Sequence, residues 1–578
     1  MHRFRVWAPA VKQVEIKIDE TRSELRSIGG GWWEATVAQA GPGSDYAYIL
    51  DGEEPAVPDP RSEWQPAGVH GPSRLVDHSA FQWNDLSWQA PEFAEGIIYE
   101  LHVGTFTAEG TLDAAISRLV YLADLGVTHV ELLPVAAFPG VHGWGYDGVD
   151  LFAVHEPYGG PEALKRFVDA AHGKGLAVVL DVVYNHFGPD GAYLGKFGPY
   201  LTSSHTTPWG DAVNFEDAGS HEVRRFFCDN ALMWLREYHI DGLRLDAVHA
   251  YMDRSAINFM EQLSEEVREL ERGLGKKFVL IAESDLNDPR LVTSRELGGY
   301  GLDAAWSDDF HHALVTVLTG EREGYYADFG SLEDLRKSLE QIFVYDGQYS
   351  VYRDRVHGRP AGQLPGWKFL GYSQNHDQVG NRAQGERLSH LVGTGCAKVA
   401  AALVLLAPFV PMLFQGEEFA SSSPFLYFTD HEDELGKLVS EGRKKEFIAF
   451  GWKPEEIPDP QAQETFEKSK LNWEEARETP HISMLEWYRA LIRLRRSTPS
   501  LMDGRMDAVN VRFGDDGDEG KWFELQRGPI RVVSNIGATC HIFSLPVGAV
   551  VELKSDDIKA EEGQLSLPPY SVAVVRHD

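Results

Sequence analysis

The sequence predicts a (β/α)₈ barrel of the TIM type with a β-sandwich on either side, and three observations predict it. Between about residues 91 and 504, apolar strand-like runs alternate with helical patterns, and eight strand candidates can be counted, more than an open sheet would need. Three of those strands end on a carboxylic acid: Asp246 in DGLRLDAVH, Glu283 in VLIAESD and Asp377 in YSQNHDQVG. On both flanks the period changes to two, in short segments broken by Gly, Pro and Asp.

Over residues 1–90 the segments RFRVWA, VEIKID, WWEATV and YAYIL alternate apolar with polar side chains and predict a small immunoglobulin-like sandwich. The barrel opens with IIYELHVGTF as its first strand. TLDAAISRLVYLADLG follows, with a Thr cap and a closing Gly that mark a helix, and THVELLPV is the second strand. PEALKRFVDAAHGKG has Pro at a first helical position, and AVVLDVVYNH is a nearly continuous apolar run, as a strand covered on both faces should be. The helix EVRRFFCDNALMWLREYH leads into the fourth strand, GLRLDAV. SAINFMEQLSEEVRELERG then precedes FVLIAES and AAWSDDF, the fifth and sixth strands. SLEDLRKSLEQIF reads as helix, FLGYSQNH as the seventh strand, 391–407 as helix, VPMLFQGEEF as the eighth strand and MLEWYRALIRLRR as the closing helix. The largest insertions, 187–219 after the third strand and 420–480 after the eighth, emerge where barrel active sites are built. From 505 to 578, WFELQRG, IRVVSNI, AVVELKS and SVAVVRH predict a second sandwich.

Length agrees, since 578 residues exceed what one hydrophobic core supports. A net charge of −34, from 88 acids against 54 bases, repels nucleic acid and anionic membrane and is indifferent to a neutral ligand. The longest apolar run, 397–409, is interrupted by Lys398 and Pro408 and falls short of the roughly 20 residues that span a bilayer. The amphipathic N-terminus lacks a signal core, so a cytoplasmic protein is expected. Cys228, Cys396 and Cys540 are odd in number and far apart; they are expected to be buried small hydrophobes, neither disulfides nor metal ligands.

Acids at strand ends suit acetal hydrolysis, which takes a proton for the leaving oxygen and an anion for an oxocarbenium-like centre. Arg244 and Asp246 share a strand face, and a fixed cation keeps Asp246 ionised, as a nucleophile should be. Glu283 follows apolar FVLIA, a setting that raises a carboxyl pKa and suits a proton donor. His186 and His376 are placed to donate to sugar hydroxyls. A metal site at Asp181, Asn185, His186 and His376 is the competing use of these groups, but their spacing forms no ligand ladder; no metal and no cofactor are expected.

DVVYNH, DGLRLDAVH, AESD and QNHDQ resemble the strand-end motifs of the α-amylase family, glycoside hydrolase family 13. The resemblance implies retaining chemistry on α-glucosidic bonds, with Asp246 as nucleophile, Glu283 as acid and base, and Asp377 on the 2- and 3-hydroxyls. It further implies that Arg244, His186 and His376 bind the sugar at the cleavage point and that Tyr146 in GWGYD stacks beneath it, with Trp144 either in the cleft wall or in loop packing. Through VTHVELLPV, IAESDLNDPRL and SQNHDQVGNRAQGERL above all, the chain is similar to the branch of that family that releases trehalose from maltooligosyl trehalose, a substrate made by a preceding synthase. Branching or debranching of α-1,4-glucan, and glucan binding without catalysis, are the alternatives. Gln378, Asn381 and Arg382 after Asp377, and Asp285, Asn287 and Asp288 after Glu283, are the candidates for gripping the leaving trehalose. Either Trp32 or Trp33 is expected in the core, with the other able to stack on a distant glucan.

Overall fold

The computed structural model describes residues 1–577 apart from 450, 451, 516, 518, 519 and 562. Eight parallel strands close into a barrel: β1 (Ile98–Leu101), β2 (His129–Leu132), β3 (Ala177–Val182), β4 (Gly242–Leu245), β5 (Val279–Ala282), β6 (Ala304–Trp306), β7 (Phe369–Gly371) and β8 (Val410–Phe414), each beside its successor and β8 against β1. The β-branched and aliphatic runs that predicted these strands are buried in the barrel apart from half-buried Val279, because helices cover the outer face and side chains fill the inner one. Ile98, Val179, Ile281, Trp306, Leu370 and Met412 pack in the interior. Above them the lining turns polar: register sets Glu100 opposite Glu131 and Asp181 opposite Arg244. This change from apolar floor to charged rim positions the cleft at the strands' C-terminal ends.

Strands between His2 and Val57 make two antiparallel sheets, one of three strands and one built on Val14–Ile18 and Asp45–Leu50. After the barrel, a five-stranded sheet (Val509–Asp515, Lys521–Arg527, Ile530–Asn535, Ser571–Arg576, Val550–Lys554) faces a three-stranded one across Val533, Phe543, Leu565 and Val575. Buried Arg527 ties it to the barrel, donating to the carbonyls of Ala407 at 2.7 Å and Leu501 at 2.9 Å. The helix Leu388–Leu406 is long and apolar enough to cross a membrane. In the fold it packs on Asp308–Thr319, His481–Ser497 and the last sheet.

Several elements differ from the sequence expectation. The first strand ends at Leu101, and Val103–Phe106 turns helical; a Cβ at its Gly104 would come within 3.3 Å of the Phe466 ring and 2.9 Å of the His102 ring. The expected helix over 111–126 breaks into Leu112–Ile116 and Leu119–Leu125. AAWSDDF is strand only to Trp306. Asp308 and Asp309 then occupy the first turn of an unforeseen helix, Asp308–Thr319, where acids suit the dipole. A hairpin of Asp346–Ser350 and Arg355–Gly358 was also unforeseen. Cys228 and Cys396 are buried, but Cys540 is exposed beside the Ser566 hydroxyl. Trp32 and Trp33 are both half-buried, Trp33 donating to the Ala8 carbonyl and Trp32 covered by Arg5, so neither is a free platform.

Candidate active site

Strand β4 ends in a sharp turn that brings the two principal acids together. Arg244 is fully buried, and its Nη1 alone donates both to Asp246 Oδ1 at 2.6 Å and to Asp181 Oδ2 at 2.7 Å. Asn185 Nδ2 donates to the other Asp246 oxygen at 2.8 Å, so both carboxylate oxygens of Asp246 accept hydrogen bonds. Ala247 follows in the left-handed region, and its N–H donates to Glu283 Oε2.

Glu283 is set differently. Burial pushes its pKa well above the ordinary carboxyl range; Arg244 opposes the shift, and the charges of Asp246, Asp377 and Asp308 add to it. Arg244 Nη2 stands 3.6 Å from Glu283 Oε2, outside hydrogen-bond reach. One cation therefore serves the two acids unequally: Asp246 is hydrogen-bonded to it and Glu283 is not.

Behind them, Glu100 of β1 accepts from the His376 backbone N–H at 3.0 Å and from its Nδ1 at 2.6 Å. Burial disfavours the imidazolium, but Asp377 and Glu100 outweigh it and lift His376 to about 9. Its Nε2 points to Asp377 Oδ1 at 3.6 Å, which leaves a charged donor facing the cleft. Tyr146 stacks on His376, centroids 5.0 Å apart, and its hydroxyl donates to Asp181 at 2.5 Å. His186 is lowered by burial despite Asp246, and an oxygen faces each ring nitrogen: Asn185 Oδ1 at 2.7 Å and Tyr146 O at 3.0 Å. It meets the cleft with its ring face and not as a hydroxyl donor. Trp144 belongs to both wall and packing, because it lines the cleft while its Nε1 donates to Leu426 O at 2.9 Å.

These side chains enclose a cavity of about 310 Å³, closed by residues that sequence reasoning missed: Asp147, Trp209, His249, Tyr427 and Thr429. Trp209, 47% exposed, lies at the tip of a hairpin (Leu201–Thr207, Gly210–Val213) and stacks over His186 at 5.2 Å. A lone Trp between Pro and Gly in a polar insertion was the available signal. For Glu100 the signal was one acid in an otherwise apolar strand.

The loop candidates for holding a leaving group are turned elsewhere. Buried Asn287, at φ 53°, spends its Nδ2 on Asp309 at 2.8 Å and Tyr345 O at 3.1 Å, so it caps its loop. Arg382, past the end of the short helix His376–Gly380, pairs with Glu321, its Nη1 at 3.2 Å from Oε2, and Gln378 of that helix lines the same small pocket, apart from the cleft. Asn381 Nδ2 reaches back to Asp377 Oδ1 at 3.4 Å. Asp285 is held by Arg353 at 2.8 Å, and Asp288 caps Pro289–Leu291. Asp181, Asn185 and His376, considered as metal ligands, are engaged by the partners given above. Among the described residues the one group with metal-ligand spacing is His70, Asp190 and Glu432, none of which lines the cleft.

The profile of the alpha amylase catalytic domain matches residues 74–205. The chain is 48% identical to a malto-oligosyltrehalose trehalohydrolase of Rhizobium sp. (strain M-11), over 99% of this chain and 97% of that protein. It is 49% identical to another of that name from Arthrobacter ramosus, over 99% of each. A crystal structure from Salmonella typhimurium, provisionally named an alpha amylase, superposes with a TM-score of 0.90 at 37% identity, covering 100% of this chain and 97% of that one.

Proposed function

The chain belongs to the malto-oligosyltrehalose trehalohydrolases of the α-amylase family, and from that premise we propose that its cleft hydrolyses the α-1,4 bond next to the terminal trehalose of maltooligosyl trehalose. The products are trehalose and a maltooligosaccharide.

The observation that carries the assignment of roles is the unequal service of Arg244: bonded to Asp246 at 2.6 Å, withheld from Glu283 at 3.6 Å. Asp246 attacks the anomeric carbon while Glu283 delivers its proton to the departing 4-oxygen of trehalose, leaving a glycosyl ester on Asp246. Glu283, now ionised, takes a proton from water. The water oxygen displaces Asp246, and the maltooligosaccharide leaves with its anomeric configuration retained. Asp377 and the His376 Nε2–H grip hydroxyls of the sugar being cut, and Tyr146 supports its ring with His376 stacked behind. His186 and Trp144 wall that subsite, and the exposed face of Trp209 stacks on a further sugar ring.

The substrate carries an α,α-1,1 linkage, so an enzyme that rearranges the reducing end of a maltooligosaccharide, a maltooligosyltrehalose synthase, is the expected supplier. Three free cysteines suit a reducing compartment, which favours the cytoplasm. Product analysis tests the reading. Equal amounts of trehalose and maltooligosaccharide from maltooligosyl trehalose, with little action on plain maltooligosaccharides, are expected. Branching of amylose without new reducing ends would favour a transferase, and retention on glucan with no bond cleavage would favour a binding protein.

A further inference from the structure

Strand β6 contributes no acid to the cleft, yet its last residue touches the group on which both principal acids depend. Trp306 is 3% exposed and does not line the cavity; the Arg244 guanidinium carbon lies 4.2 Å from its ring centroid. The indole is wedged against Tyr372 and His376, centroids at 5.5 and 6.1 Å. Arg244 needs such support, because its Nε and Nη2 are buried without a hydrogen-bond partner among the described residues, while Nη1 serves Asp246 and Asp181 together. An aromatic face satisfies a desolvated guanidinium where hydrogen bonds are missing.

We propose that Trp306 is a positioning residue for the reaction: its ring face holds Arg244 against Asp246 and keeps the second guanidinium nitrogen from closing on Glu283. The inference rests on the roles assigned above to Asp246 and Glu283. Glu283 Oε2, which already accepts the Ala247 N–H, stands 3.6 Å from Nη2 and has room for a second donor. Without the ring face the fork rotates toward that oxygen, stabilises the Glu283 carboxylate and strips the proton donor of its proton at lower pH. The residue acts through Arg244 and touches no substrate, so the loss falls on kcat and leaves KM in place.

The test compares Trp306→Phe with Trp306→Leu, similar in volume and different in whether they present a ring face, in pH profiles of kcat and kcat/KM on maltooligosyl trehalose. The alkaline limb of Trp306→Leu is expected to move acidward by about one pH unit, a roughly tenfold loss at the alkaline edge, while Trp306→Phe keeps the native limb. Site-specific incorporation of a trifluorinated tryptophan at 306 weakens the ring face without changing its shape, and should move the limb in the same direction even if Trp306→Leu does not fold. An unmoved limb in the fluorinated protein overturns the proposal, as does a Trp306→Leu variant that loses thermal stability alone. Glu283→Gln is measured alongside. Full activity there defeats the assignment of the donor, whereas an inactive Glu283→Gln with an unmoved limb defeats the role of Trp306 only.

Discussion

The N–H of Ala247 donates to Oε2 of Glu283 from a left-handed conformation, φ 42° and ψ 50°, one residue after Asp246. The chain thus turns abruptly after one acid so that its backbone can hold the other. A β-branched side chain tolerates that region poorly, at a cost of about 1–3 kcal/mol. Ala247→Val should therefore lower stability by that order, and it should also lower kcat as Glu283 loses its anchor. Ala247→Gly, which relieves the strain, should keep near-native kcat. Steady-state kinetics with thermal melts of both variants check this; equal kcat in the two would detach the turn from catalysis.

In the proposed mechanism Glu283 carries the proton for the leaving oxygen, and a good leaving group needs none. Glu283→Gln should lose about 10²–10⁴-fold in kcat on maltooligosyl trehalose. On an α-glucosyl substrate with an acidic phenol as leaving group, it should lose far less in the first step and accumulate the glycosyl ester, because water still lacks its base. Asp246→Asn should be inactive on both. A burst of phenol from Glu283→Gln, read by stopped flow, distinguishes the two acids.

The barrel was legible because each strand is an apolar run of its own, and a period of two or 3.6 is a local property. Asp246 and Glu283 were legible for the same reason, standing directly after such runs, whereas Asp377, expected at the end of the seventh strand, lies beyond it in the short helix His376–Gly380. What was not legible depends on direction in space. Trp209 reaches the cleft from a hairpin tip, His186 turns its ring face and not its nitrogens inward, and Glu100 serves His376 from 276 residues away in sequence. The helix Asp308–Thr319 was hidden because it begins directly after a three-residue strand, where neither periodicity has room to declare itself.

Nearness in sequence to Asp377 misled in the case of Arg382. Arg382 lies beyond the end of the short helix His376–Gly380, and its guanidinium is turned to Glu321. Arg382→Ala should leave KM for maltooligosyl trehalose within about twofold while costing about 1 kcal/mol of stability, the usual scale for a partly exposed ion pair. Trp209→Ala, by contrast, should weaken binding about tenfold through lost stacking. Paired KM values settle which of the two touches substrate.

Glu100 makes the charge of His376 a source of stability with a definite pH window. The imidazole rises from 6.5 in the unfolded chain to about 9 in the fold, since the carboxylates of Asp377 and Glu100 outweigh its burial. A raised basic pKa contributes stability that is complete below pH 6.5 and fades as pH climbs through about 9, on the order of 3 kcal/mol over the full span. Glu100→Gln keeps an acceptor for the ring and removes the charge. Burial then has less opposing it, so the window should narrow from its upper end and stability at pH 6 should fall toward the value the native protein reaches at pH 10. Denaturant unfolding at several pH values measures the difference. The same variant should lose activity at a lower pH than the native enzyme, because the Nε2–H that faces the sugar is donated by the charged ring.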